Sequence, residues 1–450
     1  MSSNVRHTIG AGRGGGFWKR TPAYTPSIVD AAFSGSDALD EKTIFGSKEQ
    51  GSSSSFQQTK SKDAKVDEGM STTQQLQPSS SPSLSEPSSL GPGSFENQEK
   101  TPLHHTTQNH QPQQQLAVVS ASDKKTQTSS KFYSLLTASN ADIEQLRKLS
   151  WKGIPAECRA EAWRLLMGYI PINRSRRAAT LQRKRKEYGD WRQQTFAKGE
   201  EALDRTLWRQ IRIDVPRTTP GSTVFQQARM QRSLERVLYC WAARHPASGY
   251  VQGINDLVTP FYHVFLKEHM EPGQTFDDIS DSTLDSVEAD SFWCLTKLLD
   301  GIQDNYTHAQ PGIQRQIVKM RELVARIDSK LAVHLDAENI EFIQFAFRWI
   351  NCLLMREVSL ENTVRMWDTY LAEDQGFAKF HIYVCAALLL KWSADLRAMD
   401  FQQIMIFLQR PPTLSWSTKE IEILLSEAYM YKCLYDDSPS HYSGGRPQAG

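Results

Sequence analysis

From Phe132 onwards the apolar positions recur three and four residues apart. Phe132, Leu135, Leu136, Ile143, Leu146 and Leu149 open the series, and that spacing lines one face of an α-helix. Asp142 lies close to the start of this pattern. Gly153-Ile154-Pro155 interrupts the pattern, and Arg159 to Met167 resumes it with Trp163, Leu165 and Leu166. The periodicity then predicts helices over 225–243, 290–302, 313–335, 341–355, 364–371, 380–392, 400–408 and 417–431. In the first of these Leu234, Val237, Leu238 and Trp241 fall at i, i+3, i+4 and i+7. The apolar run 257–266 carries Pro260, which predicts a kinked, buried helix. No segment alternates with period two over a useful length. The expectation is an all-α fold, one elongated domain of two helical lobes over 132–435.

Composition changes the picture at the two ends. Residues 1–131 are poor in apolar side chains and rich in Ser, Gln, Thr, Gly and Pro, so they cannot offset the entropy of ordering and are expected to stay disordered. Residues 436–450 are a second, short tail of the same kind. Phe17, Trp18, Lys19 and Arg20 form an aromatic and basic island, either a docking motif or an incidental pair. Thr21, Thr25, Ser81 and Thr101 each precede proline, which leaves phosphorylation open beside the plainer linker reading. The chain as a whole is 39% hydrophobic and 23% charged with a net charge of +1, which argues against wholesale nucleic-acid binding. Six scattered cysteines without paired spacing suggest reduced, mostly buried thiols in a cytosolic protein and no zinc site. No apolar run is long enough for a membrane span, so membrane association is expected to be peripheral.

Two stretches carry the candidate chemistry. Ile211-Arg-Ile-Asp-Val-Pro-Arg217 ends in an arginine after Val215-Pro216, and the proline is expected to bias Val215 to extended geometry and put Arg217 on a loop. Ser248-Gly-Tyr-Val-Gln-Gly-Ile-Asn-Asp256 packs glycines, Tyr250, Gln252 and the Asn255-Asp256 pair between helical patterns, which can set one amide, Gln252, at a turn. Each has a plain reading as well: a surface ion pair for Asp214 and Arg217, a simple turn for Gln252. The basic stretch 174–186 could be a nucleic-acid or lipid-headgroup patch, but Leu181, Tyr188 and Trp191 favour a helix with one buried side. The aspartates of 271–285 lack the EF-hand glycine and glutamate and read as a solvated insertion. His245 reads as a turn residue and His263 as a core or half-buried one. No glycine-rich phosphate loop of the Walker type is present.

Taken together the two stretches resemble the TBC-domain family of Rab GTPase-activating proteins. Ile211, Asp214 and Arg217 match that family's Ile-x-x-Asp-x-x-Arg, and the turn at Tyr250 and Gln252 matches its Ser-Gly-x-x-Gln-Gly. The Gly-Ile-Pro and Trp163 segment, Arg348-Trp349 and Arg365-Met-Trp-Asp368 look like further family motifs with structural roles, so the resemblance runs from Lys152 past Asp368, with a motif core of about 152–376. Within the family the pattern is similar to the Golgi-associated subfamily numbered twenty-two. The resemblance implies a two-lobed helical GAP domain that stimulates GTP hydrolysis in trans. Arg217 would be its arginine finger and Gln252 its glutamine finger. Asp214 would orient Arg217 by ion pairing, while Ile211, Tyr250, Gly253, Asn255 and Asp256 would support the two. It implies no cofactor in this chain, since GTP and magnesium belong to the partner. The implied partners are Rab-family GTPases, with Golgi scaffold or phosphoserine-binding adaptor proteins on the N-terminal tail, and a homodimer stays open. The implied place is cytoplasmic, peripheral at Golgi membranes, in vesicle traffic. The alternative is a non-catalytic Rab or scaffold adaptor.

Overall fold

The computed structural model describes residues 121–436. The island at 17–20, the proline-directed sites and the C-terminal tail beyond Asp436 lie outside the described residues.

The first half of the described chain runs through α1 (Ala121–Thr137), α2 (Ile143–Ser150), α3 (Ala156–Leu166), α4 (Arg174–Phe196), α5 (Arg205–Asp214), α6 (Thr223–Gln226), α7 (Ala228–Arg244), α8 (Ile254–Leu257), α9 (Thr259–Lys267) and α10 (Asp281–Gly301). The second half continues with α11 (Pro311–Ile327), α12 (Ser329–Ala337), α13 (Ile343–Asn351), α14 (Leu360–Ala372), α15 (His381–Leu390), α16 (Ser393–Leu396), α17 (Phe401–Gln409) and α18 (Thr418–Tyr435). Among the described residues the only extended pairing is an isolated bridge between Asn140 and Asn173. The fold is all-α, as the periodicity predicts.

Several boundaries differ from the periodic reading, each for a local reason. The first helix begins at Ala121, ahead of Phe132, and Phe132 and Leu136 anchor it in the core. The segment 225–243 is broken at Gln227, which is extended at ψ 134°. The segment 313–335 is two helices, because Asp328 leaves helical geometry and its side chain accepts from the Leu331 N–H as a new N-cap. Pro260 does not kink a helix: it lies in the first turn of α9, where the missing N–H has no partner to lose. The insertion at 271–285 is partly helical, with Asp278 and Thr275 forming a capping box and α10 starting at Asp281.

One contiguous core runs from Phe132 to Ala428. In it α7 and α4 pack on α10, α10 packs on α9, and α15 packs between α11 and α18, while α14 touches α2, α3, α9 and α18. Buried carboxylates bind these layers across long sequence separations. Asp368 on α14, fully buried, accepts from Arg159 Nε at 3.1 Å, Trp163 Nε1 at 2.8 Å and the Ile154 N–H at 2.9 Å. The Gly-Ile-Pro, Arg and Trp pattern and the Arg-Met-Trp-Asp pattern are therefore two halves of one joint. Asp290 accepts from Arg164, Arg185 and Tyr169, and Glu288 from Tyr188, Ser233, Arg236 and Arg192. In the basic stretch, Arg177 binds Glu161 and Arg185 binds Asp290, so part of that charge serves the fold. His245 caps α7, its ring stacked on Trp241.

Candidate functional site

The arginine turn grows out of α5. Asp204 caps this helix by accepting from the Leu207 N–H at 2.8 Å, and Trp208 and Ile211 bury its inner face. The helix does not stop before the proline. Val215 is helical at φ −57°, ψ −45°, its N–H bonded to the Ile211 carbonyl, and the extended geometry expected from Pro216 is not found. Val215, Pro216 and Arg217 form one 3-10 turn, in which proline at the second position has no N–H bond to lose. Arg217 is thus the last residue of a helical turn and not a free loop residue. Thr218 closes it by donating its N–H to Val215 at 3.1 Å. Ile211, Val215 and Thr218 are fully buried while Arg217 is exposed, so the buried residues hold the turn and the guanidinium faces outward.

The glutamine turn follows α7. Gly249 donates its N–H to His245 at 2.8 Å and takes φ 63°; Gly253 takes φ 107°. The second glycine is compulsory, since a Cβ there would stand 2.4 Å from Asn351 Nδ2. Gln252 between them is half-buried.

Four side chains join the two turns. The Tyr250 hydroxyl donates to Asp214 Oδ2 at 2.9 Å and lies 3.2 Å from Asn255 Oδ1. Asn255 Oδ1 accepts the Gly253 N–H at 3.0 Å, and Asn255 Nδ2 donates to Thr218 Oγ1 at 2.9 Å. Thr218 Oγ1 donates in turn to the Asp214 carbonyl at 3.1 Å. Asp214, Asn255 and Tyr250 are buried. Burial raises the Asp214 carboxyl above its ordinary value, the Tyr250 hydroxyl pulls it back, Asp256 raises it further, and Arg356 and Arg217 lower it. Asp214 therefore does not orient Arg217 through an ion pair, as expected from sequence. Its carboxylate is given to Tyr250, and Arg217 acts on it only through space.

The structure brings together all eight residues expected at the site, Ile211, Asp214, Arg217, Tyr250, Gln252, Gly253, Asn255 and Asp256, on two adjoining turns and the helix ends that flank them. It adds three that the motifs do not announce. Thr218 follows the arginine motif directly and was within reach of the sequence. Asn351 and Arg356 lie about a hundred residues further on. Asn351 Nδ2 donates to the Gln252 carbonyl at 3.0 Å, and Arg356 Nε to Asp256 Oδ2 at 2.9 Å.

A helical domain that holds an exposed arginine and a glutamine on two cross-bonded turns has the architecture of a TBC domain. The pattern of the Rab-GTPase-TBC domain family matches residues 156–396, and the chain belongs to that family. Among curated proteins it is 55% identical over 318 residues to GTPase-activating protein gyp1 of Schizosaccharomyces pombe, covering 69% of this chain and 62% of that one. It is 52% identical over 316 residues to human TBC1 domain family member 22B, covering 69% of this chain and 63% of the relative. The chain thus matches less than two thirds of the length of these relatives. Among solved structures, the crystal structure of the Ypt/Rab-GAP domain of Gyp1p is 50% identical and superposes with a TM-score of 0.65 over 69% of this chain and 99% of that domain. The Chlamydomonas flagellar RabGAP TBC domain, 17% identical with a TM-score of 0.50 over 68% of this chain and 91% of that one, shares the fold. Among the described residues no helix is long and apolar enough to cross a membrane.

Proposed function

We propose that this protein stimulates GTP hydrolysis by a Rab-family GTPase in trans, with Arg217 and Gln252 as the two groups that reach the nucleotide. The observation that carries the reading is the hydrogen-bonded bridge from Asp214 through Tyr250 and Asn255 to Thr218, which fixes an outward arginine and a half-buried glutamine on one rigid base. Phosphoryl transfer is limited by charge on the phosphoryl oxygens and by placement of the attacking water. A guanidinium stays charged and offers a planar fork of donors for the first task. A carboxamide donates and accepts at once, which suits the second. GTP and magnesium are carried by the partner, and this chain supplies no cofactor of its own. The identity to Gyp1 and to the member 22 proteins supports a Rab-type partner. A role in vesicle traffic, peripheral at Golgi membranes with tail-bound scaffold proteins, belongs to the same proposal.

The test is single-turnover GTP hydrolysis across a panel of purified Rabs. Arg217→Ala is expected to lower the stimulated rate of the responsive Rab by about 10³ to 10⁵, and Arg217→Lys to recover little. Gln252→Ala is also severe, and the double variant loses less than the two losses combined because both groups act on one transition state. Stimulation should survive replacement of the GTPase's own switch glutamine by leucine. If no Rab is stimulated and none responds to either substitution, the protein is an adaptor and the catalytic reading is withdrawn.

A further inference from the structure

The glutamine turn is held from two sides. Its near side is the bridge to the arginine turn. Its far side is a short, strained segment that leaves the end of α13. Asn351 is the last residue of α13 and is fully buried. After it Leu353 and Leu354 stand consecutively in the left-handed region, at φ 49° and 59°, although both are buried leucines. Such a conformation is unfavourable for a residue with a Cβ and persists only where the surroundings over-determine it.

Those surroundings are on both flanks. The Leu354 N–H bonds the Trp349 carbonyl at 2.9 Å, the Asn351 carbonyl accepts the Tyr306 hydroxyl at 2.8 Å, and Arg348 Nε binds the buried Glu357 at 2.7 Å. The two polar side chains that this segment delivers both go to the glutamine turn. Asn351 Nδ2 holds the Gln252 carbonyl, and Arg356 holds Asp256 four residues on.

We propose that Asn351 and Arg356 are positioning residues for Gln252, a bracket that sets the depth and direction of the glutamine from the second half of the domain. The proposal rests on the reading of Gln252 as the group that places the attacking water. The amide orientation of Asn351 is set by its partner: the Gln252 carbonyl needs a donor, so Nδ2 faces it, and Oδ1 is left buried without a hydrogen bond. An unpaired buried acceptor is a cost to folding, and here it accompanies a bond to the backbone of the half-buried Gln252. Gly253 fits the same arrangement, because the place its Cβ would fill is occupied by Asn351 Nδ2. The second anchor differs in kind. The Arg356 side chain is 28% exposed and Asp256 9%, so that pair closes the outer edge of the bracket while Asn351 closes the inner one. Asn351 and Arg356 need not touch the GTPase for this; they act through the backbone that carries Gln252.

The test uses the full chain with one GTPase from the Rab panel that the parent protein stimulates. Asn351→Asp keeps the size of the side chain and replaces the donor to Gln252 by an acceptor. Arg356→Gln removes the charge at the less buried anchor and decides the matter if Asn351→Asp does not fold. Each is expected to lower kcat about ten- to a hundredfold, the scale of a small misplacement of a reacting group. KM, and binding to the GTPase loaded with GDP and aluminium fluoride relative to GDP alone, are compared in parallel; KM should stay close to that of the parent. Arg356→Lys should recover part of the rate, since an ammonium still pairs with Asp256. In a Gln252→Ala background neither substitution should cost anything more, because both act through the side chain already removed.

A merely structural role gives the opposite result in that background, a further loss added to that of Gln252→Ala, and overturns the proposal. So does parental activity of Asn351→Asp and Arg356→Gln beside an inactive Gln252→Ala, which leaves the glutamine reading intact. Full activity of Gln252→Ala itself overturns the underlying reading first and the bracket with it.

Discussion

Removing one oxygen atom from the junction between the two turns should weaken both the fold and the activity. In Tyr250→Phe the ring remains in its buried place, and only the hydroxyl that donates to Asp214 at 2.9 Å is lost. Asp214 is 6% exposed, so water replaces that donor poorly. A hydrogen bond to a charged partner contributes about 1.5 to 3 kcal/mol, and an acceptor left unpaired forfeits it. The expected loss of stability is therefore about 1.5 to 3 kcal/mol, read as a lower urea midpoint at unchanged slope. Asp214→Asn should cost less. Its neutral amide still accepts from Tyr250 and escapes the desolvation that burial imposes on the carboxylate.

The pH dependence has a definite sign. Burial holds the Asp214 carboxyl above its ordinary value, so the ionised form costs the fold stability at neutral pH, and the cost falls as pH drops through the folded value. The Tyr250 hydroxyl lowers that value more than Arg356 or Arg217 does, so without it the carboxyl rises further. The deficit of Tyr250→Phe should then be largest near neutrality and shrink in the acid range. Stimulated hydrolysis should fall by about ten- to a hundredfold, since the turns carrying Arg217 and Gln252 lose a shared anchor. Urea unfolding at several pH values and single-turnover hydrolysis read the two effects. A variant with parental midpoint and parental rate would show that the bridge is incidental.

Asp290→Ala removes the carboxylate shared by Arg164, Arg185 and Tyr169, with Arg164 only 4% exposed, and should destabilise the fold by about 3 to 5 kcal/mol in urea unfolding; a loss under 1 kcal/mol would mean that Glu268 alone satisfies Arg164. Burial depresses His263 and His381 to about 4, so both stay neutral in the fold while the unfolded chain takes up protons below about 6.5. Stability is then complete above that value and is lost as pH falls from 6.5 toward 4, by up to about 1.4 kcal/mol per unit for each ring; His263→Gln should flatten the profile, and an unchanged slope would exclude that histidine. Arg217→Ala, exposed on its turn, should leave the stability read from urea unfolding within about 0.5 kcal/mol of the parent, and a larger shift would make Arg217 a structural residue.

What could be read from the sequence follows from how far each constraint reaches along the chain. Helical periodicity is a matter of four residues, so the all-α fold and most helices were legible. Ile211, Asp214 and Arg217 are separated by one turn each, and Tyr250, Gln252, Gly253 and Asn255 lie within six positions, so their spacing carries their geometry. Local rules also misled where a neighbouring bond outweighed them. Pro216 disfavours helix at Val215, but the bond from the Val215 N–H to Ile211 and the closing bond from Thr218 keep the turn helical. Pro260 reads as a kink only when Leu257 to Leu266 is taken as one helix; with α8 ending at Leu257 and α9 starting at Thr259 it belongs to a first turn.

The ion pair expected between Asp214 and Arg217 was misjudged for a different reason. Two charges three apart on a helix can meet, yet a buried carboxylate goes to the donor that is buried with it, and Tyr250 comes from another turn. The same holds with greater force for Asn351 and Arg356. No local pattern marks their role, since the groups they hold are 99 and 100 positions away. In the structure Gly253 points to one of them, since a Cβ there would meet Asn351. A glycine forced by a positive φ together with a close neighbour shows that something is packed against the turn, while the sequence alone leaves that neighbour unnamed. The fold supplies the identity: an asparagine at the end of α13 whose remaining oxygen goes unpaired, followed by two left-handed leucines, so that strain in the second half of the domain is borne where the glutamine turn is held.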